Sequence, residues 1–419
     1  MVGDSNGSVV KSTGSSRFFY GYVIVAAVFL ILLASGVVKS SYGVFLQPLI
    51  SEFGWSRTVL SGASALNDIA FGILCVVSAK FYERFNPRVI VSVCGVLMGL
   101  SFFLLSQMSF PWQLYLYFGV LIALSMSSFI AVLSTVARWF VKRRGLMTGV
   151  TLSGLCVGST IASPVANWLI ATYDWRYAYI VLGIAAAVIM VLAAQFLKRD
   201  PYQAGQLPYG ASVVEQHASD GWGLSLSQAL RTRQLWLVCG MYFVFLFCNV
   251  LVLVHIVIHG IDMGLTPANA ANVLAIYGVV SIICIYLMGI SGDRFGNKRT
   301  FVICFLLLAI SFSWLLIAGN LWQFFVFAII LGIAYSGMQV LFSPLVAELF
   351  GLKSHGMILG IASVGGAIGA ASGPLLAGYI FDETGSYRIA FMICIAVAII
   401  AFVLTLLLRP VAPKETYFR

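Results

Sequence analysis

Charge is what this sequence has least of. Of its 419 residues 9% are Asp, Glu, Lys or Arg, while 61% are hydrophobic. Soluble domains carry about 25% charged residues, so a water-soluble globule is excluded and most of the length belongs in a bilayer. Acids are scarcer than bases, 14 against 24, for a net charge of +10. That balance can mark a nucleic-acid binder. Here the basic residues sit in short stretches between apolar runs, where topogenic charges lie, and no nucleic-acid partner is expected. The eight cysteines (Cys75, Cys94, Cys156, Cys239, Cys248, Cys284, Cys304 and Cys394) all fall in apolar runs and form no C-x-x-C pair. This excludes a disulfide framework or structural zinc. There is no GxGxxG or GKS/T after a strand, no HExxH and no nucleophile elbow. With no catalytic constellation, the chain is not read as an enzyme, and no cofactor or metal is expected. Met1 to Ser16 is a Gly/Ser-rich polar tail without a signal-peptide layout, so the first hydrophobic segment is expected to remain in the mature protein.

What the sequence has is apolar length. Twelve segments are long enough to span a bilayer, roughly 18–46, 58–79, 88–107, 112–137, 145–170, 176–197, 234–258, 269–291, 299–318, 321–347, 357–381 and 388–408. The expected organisation is a tail (1–17), a six-helix bundle (18–197), a polar linker (198–233), a second six-helix bundle (234–408) and a tail (409–419). With the N-terminus inside, twenty Lys and Arg residues fall on the cytoplasmic side and only Arg57, Arg176 and Arg388 outside. The positive-inside rule then places both termini and the linker in the cytoplasm. The expected location is the inner (plasma) membrane, with the chain functional as a monomer.

The two halves repeat. Glu83 in Ala79-Lys-Phe-Tyr-Glu-Arg-Phe-Asn-Pro-Arg88 precedes Asp293 in Gly289-Ile-Ser-Gly-Asp-Arg-Phe-Gly-Asn-Lys-Arg299 by 210 residues. Gly145-Leu-Met-Thr-Gly149 matches Gly356-Met-Ile-Leu-Gly360 at 211, and Trp175-Arg176 matches Tyr387-Arg388 at 212. A duplicated six-helix unit implies two bundles with a binding site between them near the midplane.

Lys39 is the only basic residue inside the long apolar runs, and Asp68 the one acid deep in the membrane. An ammonium in hydrocarbon costs on the order of 3 kcal/mol or more, so Lys39 is read as facing a central wet cavity; the competing reading is that it snorkels along the seven residues to Leu46. Lys39 and Asp68 are expected to pair, either as a proton-coupling device or as a static bridge, with Asp68 capped by Ser64 as a further alternative. Tyr42, one turn above, is expected to share the face of Lys39. His255 is a candidate substrate contact or an interfacial residue, with His259 nearer the surface. Tyr335 and Gln339, four apart on one face, are candidate substrate donors or helix glue. The glycines of helices 5 and 11 are read as packing faces, not phosphate cradles.

The stretch 289–299 resembles the G-x-x-x-D-R-x-G-R-R loop of the major facilitator superfamily, with 79–88 as its altered first copy, and the resemblance covers all twelve helices. Lys39-Ser-Ser-Tyr-Gly-Val-Phe45, Phe53-Gly-Trp-Ser-Arg57 and Ala137-Arg-Trp-Phe-Val-Lys-Arg-Arg-Gly145 resemble the monocarboxylate transporter and oxalate–formate exchanger branch. The resemblance implies an all-α fold of two pseudo-symmetric six-helix bundles and alternating-access transport of a small organic anion, with protons or by exchange. It assigns cytoplasmic gating to Glu83, Arg84, Asp293 and Arg294, and anion and proton handling to Lys39. The sequence departs from that branch where a helix 8 arginine grips the carboxylate: Ile285 stands there, and Ser281 where the animal members carry an acid. A neutral or more apolar substrate is therefore the competing expectation, and a non-transporting sensor a third.

Overall fold

The computed structural model describes residues 19–211, 223–409 and 411. The N-terminal tail, most of the C-terminal tail and 212–222 of the linker lie outside the described residues, as do the side chains of Arg57, Thr58, Glu83 and Pro267. The described residues hold twelve membrane-spanning helices: α1 (Gly21–Phe53), α2 (Arg57–Arg84), α3 (Pro87–Ser106), α4 (Pro111–Trp139), α5 (Arg144–Thr172), α6 (Trp175–Gln195), α7 (Arg233–Asp262), α8 (Pro267–Phe295), α9 (Asn297–Leu315), α10 (Leu321–Phe350), α11 (His355–Thr384) and α12 (Arg388–Leu407). Their starts follow local chemistry. Asn86 caps α3 by accepting from the Arg88 N–H, with Pro87 at the first helical position. Ser56, Thr232 and Thr266 cap α2, α7 and α8 in the same manner. These side chains supply acceptors for N–H groups that a helix start leaves unpaired.

Two helices differ from the sequence expectation. The first does not end near Leu46 but runs through Pro48 to Phe53, where Gly54 closes it in the left-handed region (φ +64°). Lys39 thus lies fourteen residues from the helix end, about 21 Å at 1.5 Å per residue, too far for its stem to reach the interface on that side. The fourth is not one uniform α-helix: Tyr115–Ile122 winds as a π-helix, and the chain turns at Ser127 before Ser128–Trp139. Apolar periodicity carries no signal for a wider winding.

α1 packs on α5 and α6, α3 on α6 and α2 on α4; α7 packs on α11, α8 and α9 on α10, and α9 on α12. Across the two groups, α5 meets α8 and α2 meets α11. Small residues set these distances. A Cβ on Gly154 or Gly158 would lie 2.3 and 2.1 Å from the Phe29 and Leu33 carbonyl oxygens of α1. Gly369, 211 residues beyond Gly158, abuts the Phe243 carbonyl of α7, 210 beyond Leu33. The repeat read in the loops is therefore also a repeat in helix packing. Pro164 and Pro374, 210 apart, lie inside α5 and α11.

One face of the molecule carries the linker ends, the start of α1 and the end of α12, and is called the linker face. There the linker is pinned at matched places. Tyr209 N donates to the Trp139 carbonyl (2.9 Å), and Val141 and Lys142 N–H donate to the Tyr209 carbonyl (3.1 and 3.0 Å) at the end of α4. Leu224 N donates to the Phe350 carbonyl (2.9 Å) at the end of α10.

Candidate functional site

The closest backbone approaches between the two bundles lie in the linker-face halves of the helices. Gly145 of α5 and Gly289 of α8 face each other, so that a Cβ on either would lie 2.5–2.6 Å from the other's carbonyl oxygen. Further along, Gly149 meets the Ile285 carbonyl, and on the other side of the interface Gly360 of α11 meets Val76 and Gly72 meets Ala367. Tyr286 donates to Ser153 Oγ across the same interface (2.7 Å). Toward the opposite face the helices separate. A Cβ on Gly43 of α1 or Gly278 of α8 would meet nothing within 4 Å, and Ile161, Val165 and Trp168 of α5 are exposed. The protein is closed on the linker face and open on the other.

Lys39 and Asp68 meet in the open half, with Lys39 Nζ donating to Asp68 Oδ1 at 3.0 Å and side chains 54% and 31% exposed. Lys39, Gly43 and Gln47 form one exposed stripe on α1, as residues four apart do on a helix. One turn beyond Lys39 on α1, Gly43 lines a cavity of about 290 Å³ together with Gln47 and Ser61. Tyr42 does not share that stripe, contrary to the sequence expectation. It is buried, donates to the Leu60 carbonyl (2.8 Å) and stacks on Phe118 at 3.9 Å. Three residues fall about 60° short of a full turn, and that offset carries the ring into the bundle.

The second bundle has a neutral counterpart that sequence reading missed. Asn249 follows Lys39 by 210 residues and Tyr277 follows Asp68 by 209, and Tyr277 donates to Asn249 Oδ1 at 2.7 Å. The α1–α2 ion pair thus corresponds to an α7–α8 hydrogen bond without charge, and the internal offset was the signal that would have found it. Tyr335 packs against Phe245 and Tyr277, next to this bond. Gln339 is half-buried, and its Oε1 has no hydrogen-bond partner among the described residues. Ile285 is 1% exposed, so the position holds neither charge nor access.

His255 lies apart from Lys39, within the second bundle, with both ring nitrogens engaged: Nδ1 to the Tyr387 hydroxyl and Nε2 to the Pro374 carbonyl, each at 3.1 Å. Burial, together with the nearby Asp262 and Asp382 carboxylates, pushes the Tyr387 phenol up. The Pro374 carbonyl can only accept, so Nε2–H donates to it, and in the neutral ring Nδ1 then accepts from the Tyr387 hydroxyl. His259, in the last turn of α7, is half-buried against Phe324, Tyr387 and Phe391.

At the linker face Asp293 crosses the bundle interface. Its Oδ1 accepts from Gly145 N (2.8 Å) and its Oδ2 from Leu146 N (2.9 Å), at the start of α5, where helix N–H groups point outward and the dipole favours an anion. Arg294 and Arg84 are exposed and form no ion pair among the described residues. The Glu83 side chain lies outside the described residues. Two linker-face contacts had no sequence expectation. His355, buried at the start of α11, joins Ser134 Oγ of α4 (3.3 Å) and the Ser343 carbonyl (3.1 Å). Arg138 of α4 donates to Asp200 (3.0 Å) and to the Leu352 carbonyl (3.2 Å) of the other bundle.

Comparison with known proteins gives the same picture. The family model described as Major Facilitator Superfamily matches residues 28–271 and again 258–418. Monocarboxylate transporter 13 of Rattus norvegicus is 26% identical over 88% of this chain and 84% of its own length. Monocarboxylate transporter 12 of Homo sapiens is 24% identical over 92% of this chain and 79% of its own. An uncharacterized MFS-type transporter of Escherichia coli (strain K12), YhjX, is 25% identical over 77% of each chain.

Proposed function

Because the chain belongs to the Major Facilitator Superfamily, and is therefore a membrane transporter rather than an enzyme, we propose that it carries a small organic anion, a monocarboxylate, by alternating access. The observation that carries this reading is the Lys39–Asp68 pair in the open half of the molecule. A carboxylate entering there meets the only cation within the spans' apolar runs. In the bound state Asp68 competes with the substrate for the ammonium. Protonation of Asp68 ends that competition and frees Lys39 for the substrate, so that proton and anion bind together. Exchange of one anion for another follows if Asp68 keeps its proton through the cycle.

In this reading the linker face is cytoplasmic, the two termini lie inside, and the conformation described is outward-open. Asp293 on the α5 N-terminus holds the cytoplasmic side closed, with Arg294 next to it on α8, and Glu83 and Arg84 take the corresponding gating role at the end of α2. Tyr335 and Gln339 contribute neutral polar contacts from the second bundle. Tyr42 supports α1 from behind, and His255 acts by fixing α7 to α11. One observation favours a second reading, export of a neutral or more apolar compound: the buried Ile285 leaves the second bundle without a cation for a bidentate grip.

The test is uptake of radiolabelled lactate and pyruvate into proteoliposomes, with and without an inward proton gradient. Gradient-stimulated uptake by the wild type, abolished in Lys39→Ala, is expected. Absence of uptake of either acid by inserted, folded protein would overturn the monocarboxylate reading in favour of the second.

A further inference from the structure

On the linker face, between the bundles, lies a second cavity of about 760 Å³, lined by Lys142, Arg143 and Leu146 of the first bundle, Tyr209 of the linker, and Asp293 and Arg294 of the second. Its volume falls within the range of about 300–1,000 Å³ usual for small-molecule sites. Three cations line it, and the single carboxylate among them already accepts two backbone N–H bonds from α5. None of the three cations pairs with a described carboxylate. Three cations against one carboxylate leave the lining with a net positive charge, so the cavity is poised to receive an anion.

The backbone gives a second, independent observation. Arg143 is the only described non-glycine residue at positive φ (+60°), in a conformation that an L side chain adopts at a cost. Glycine would hold that turn without strain. In the arginine's place, the guanidinium lies over the Tyr209 ring at 5.9 Å, and Tyr209 is itself fixed by three backbone hydrogen bonds to the end of α4.

We propose that this cavity binds a phosphate-class oxyanion, held by Lys142 and Arg143 of one bundle and Arg294 of the other, and that the bound anion stabilises the linker-face-closed conformation. Guanidinium groups match the oxygens of such an anion, and Lys142 adds a point charge. Because the cations are divided between the bundles, opening the linker face draws them apart and weakens the grip. An anion that binds one conformation more tightly shifts the population toward it. The conformational part rests on the alternating-access reading, whereas the binding does not. The ligand's phosphate could come from a soluble anion or from a lipid headgroup.

The probe is inorganic pyrophosphate, titrated by calorimetry at low ionic strength into the full-length protein in phosphatidylcholine nanodiscs. Saturable binding is expected, weakened by added salt. At least a tenfold rise in Kd is expected in Arg143→Gly, in Lys142→Gln and in Arg294→Gln. Arg143→Gly relieves the strained turn, so its melting temperature should match or exceed the wild type and loss of binding cannot be put down to misfolding. Repetition in phosphatidylglycerol nanodiscs separates the sources. Pyrophosphate binding blocked there assigns the site to headgroups, and binding that persists assigns it to a soluble anion; both support the site. No saturable binding at millimolar pyrophosphate, or equal Kd in wild type and all three variants, would overturn the proposal. The binding assay uses no transported substrate, so a negative lactate and pyruvate result leaves it standing, and the reverse holds as well.

Discussion

At Lys39 the physical question is what stabilises a cation far from either end of its helix. The answer in the structure is Asp68 at 3.0 Å together with the partial exposure of both side chains. If the pair couples proton to anion, Asp68→Asn should leave exchange of labelled for unlabelled substrate intact while removing stimulation by the proton gradient; loss of both would make Asp68 structural. Ile285 poses the opposite case. Because it is 1% exposed, Ile285→Arg would bury a guanidinium without a partner, at a cost of about 3–5 kcal/mol. The expected result is little folded protein by size-exclusion chromatography rather than tighter carboxylate binding. The residue types were legible because a charge in an apolar run is rare. Their partners were less so: Lys39 with Asp68 was anticipated, while Tyr42 turned inward, since three residues along a helix do not return to one face.

Among the elements, α5 and α8 show most directly how glycine sets function. With a Cβ at Gly145 only 2.5 Å from the Gly289 carbonyl, Gly145→Val should force the linker-face halves apart. Labelling by a membrane-impermeant thiol reagent of a cysteine replacing the buried Ser153 should then rise several-fold from the linker side, compared with the same cysteine in the wild-type background. At the other end of the molecule, Tyr387→Phe removes the hydroxyl bonded to His255 Nδ1, a loss of about 1 kcal/mol. That loss is measurable as a lower unfolding free energy in mixed micelles. The glycine spacing was visible in the chain, but which glycines face their own bundle and which face the other was not. Gly154 and Gly158 pack on α1, whereas Gly145 and Gly149 pack across the interface, although all four lie within fourteen residues of one helix.

For the whole molecule the balance between closed and open linker faces rests on few polar contacts, among them the Asp293 carboxylate on two α5 amides. A hydrogen bond to a charged group contributes about 1.5–3 kcal/mol and a neutral one about 1. Asp293→Asn should therefore shift the balance toward linker-face opening by roughly tenfold for each 1.4 kcal/mol lost. Spin-label distances between the linker-face ends of α5 and α8 would report that shift, and an unchanged distance distribution would show that other contacts dominate.

The chain by itself determined the twelve spans and the internal duplication, because a bilayer demands about twenty apolar residues per crossing and because loop motifs recur at a fixed offset of 210–212 residues. It also determined that Lys39 and Asp68 were the exceptional residues, since charge in hydrocarbon is costly wherever the fold places it. Tertiary structure alone decided which face is closed, that the second bundle answers the ion pair with the uncharged Asn249–Tyr277 bond, and that His355 and Arg138 bridge the bundles. These depend on the distance between helices remote in sequence, and in a protein built to rock between two arrangements that distance belongs to the conformation and not to any local stretch of residues.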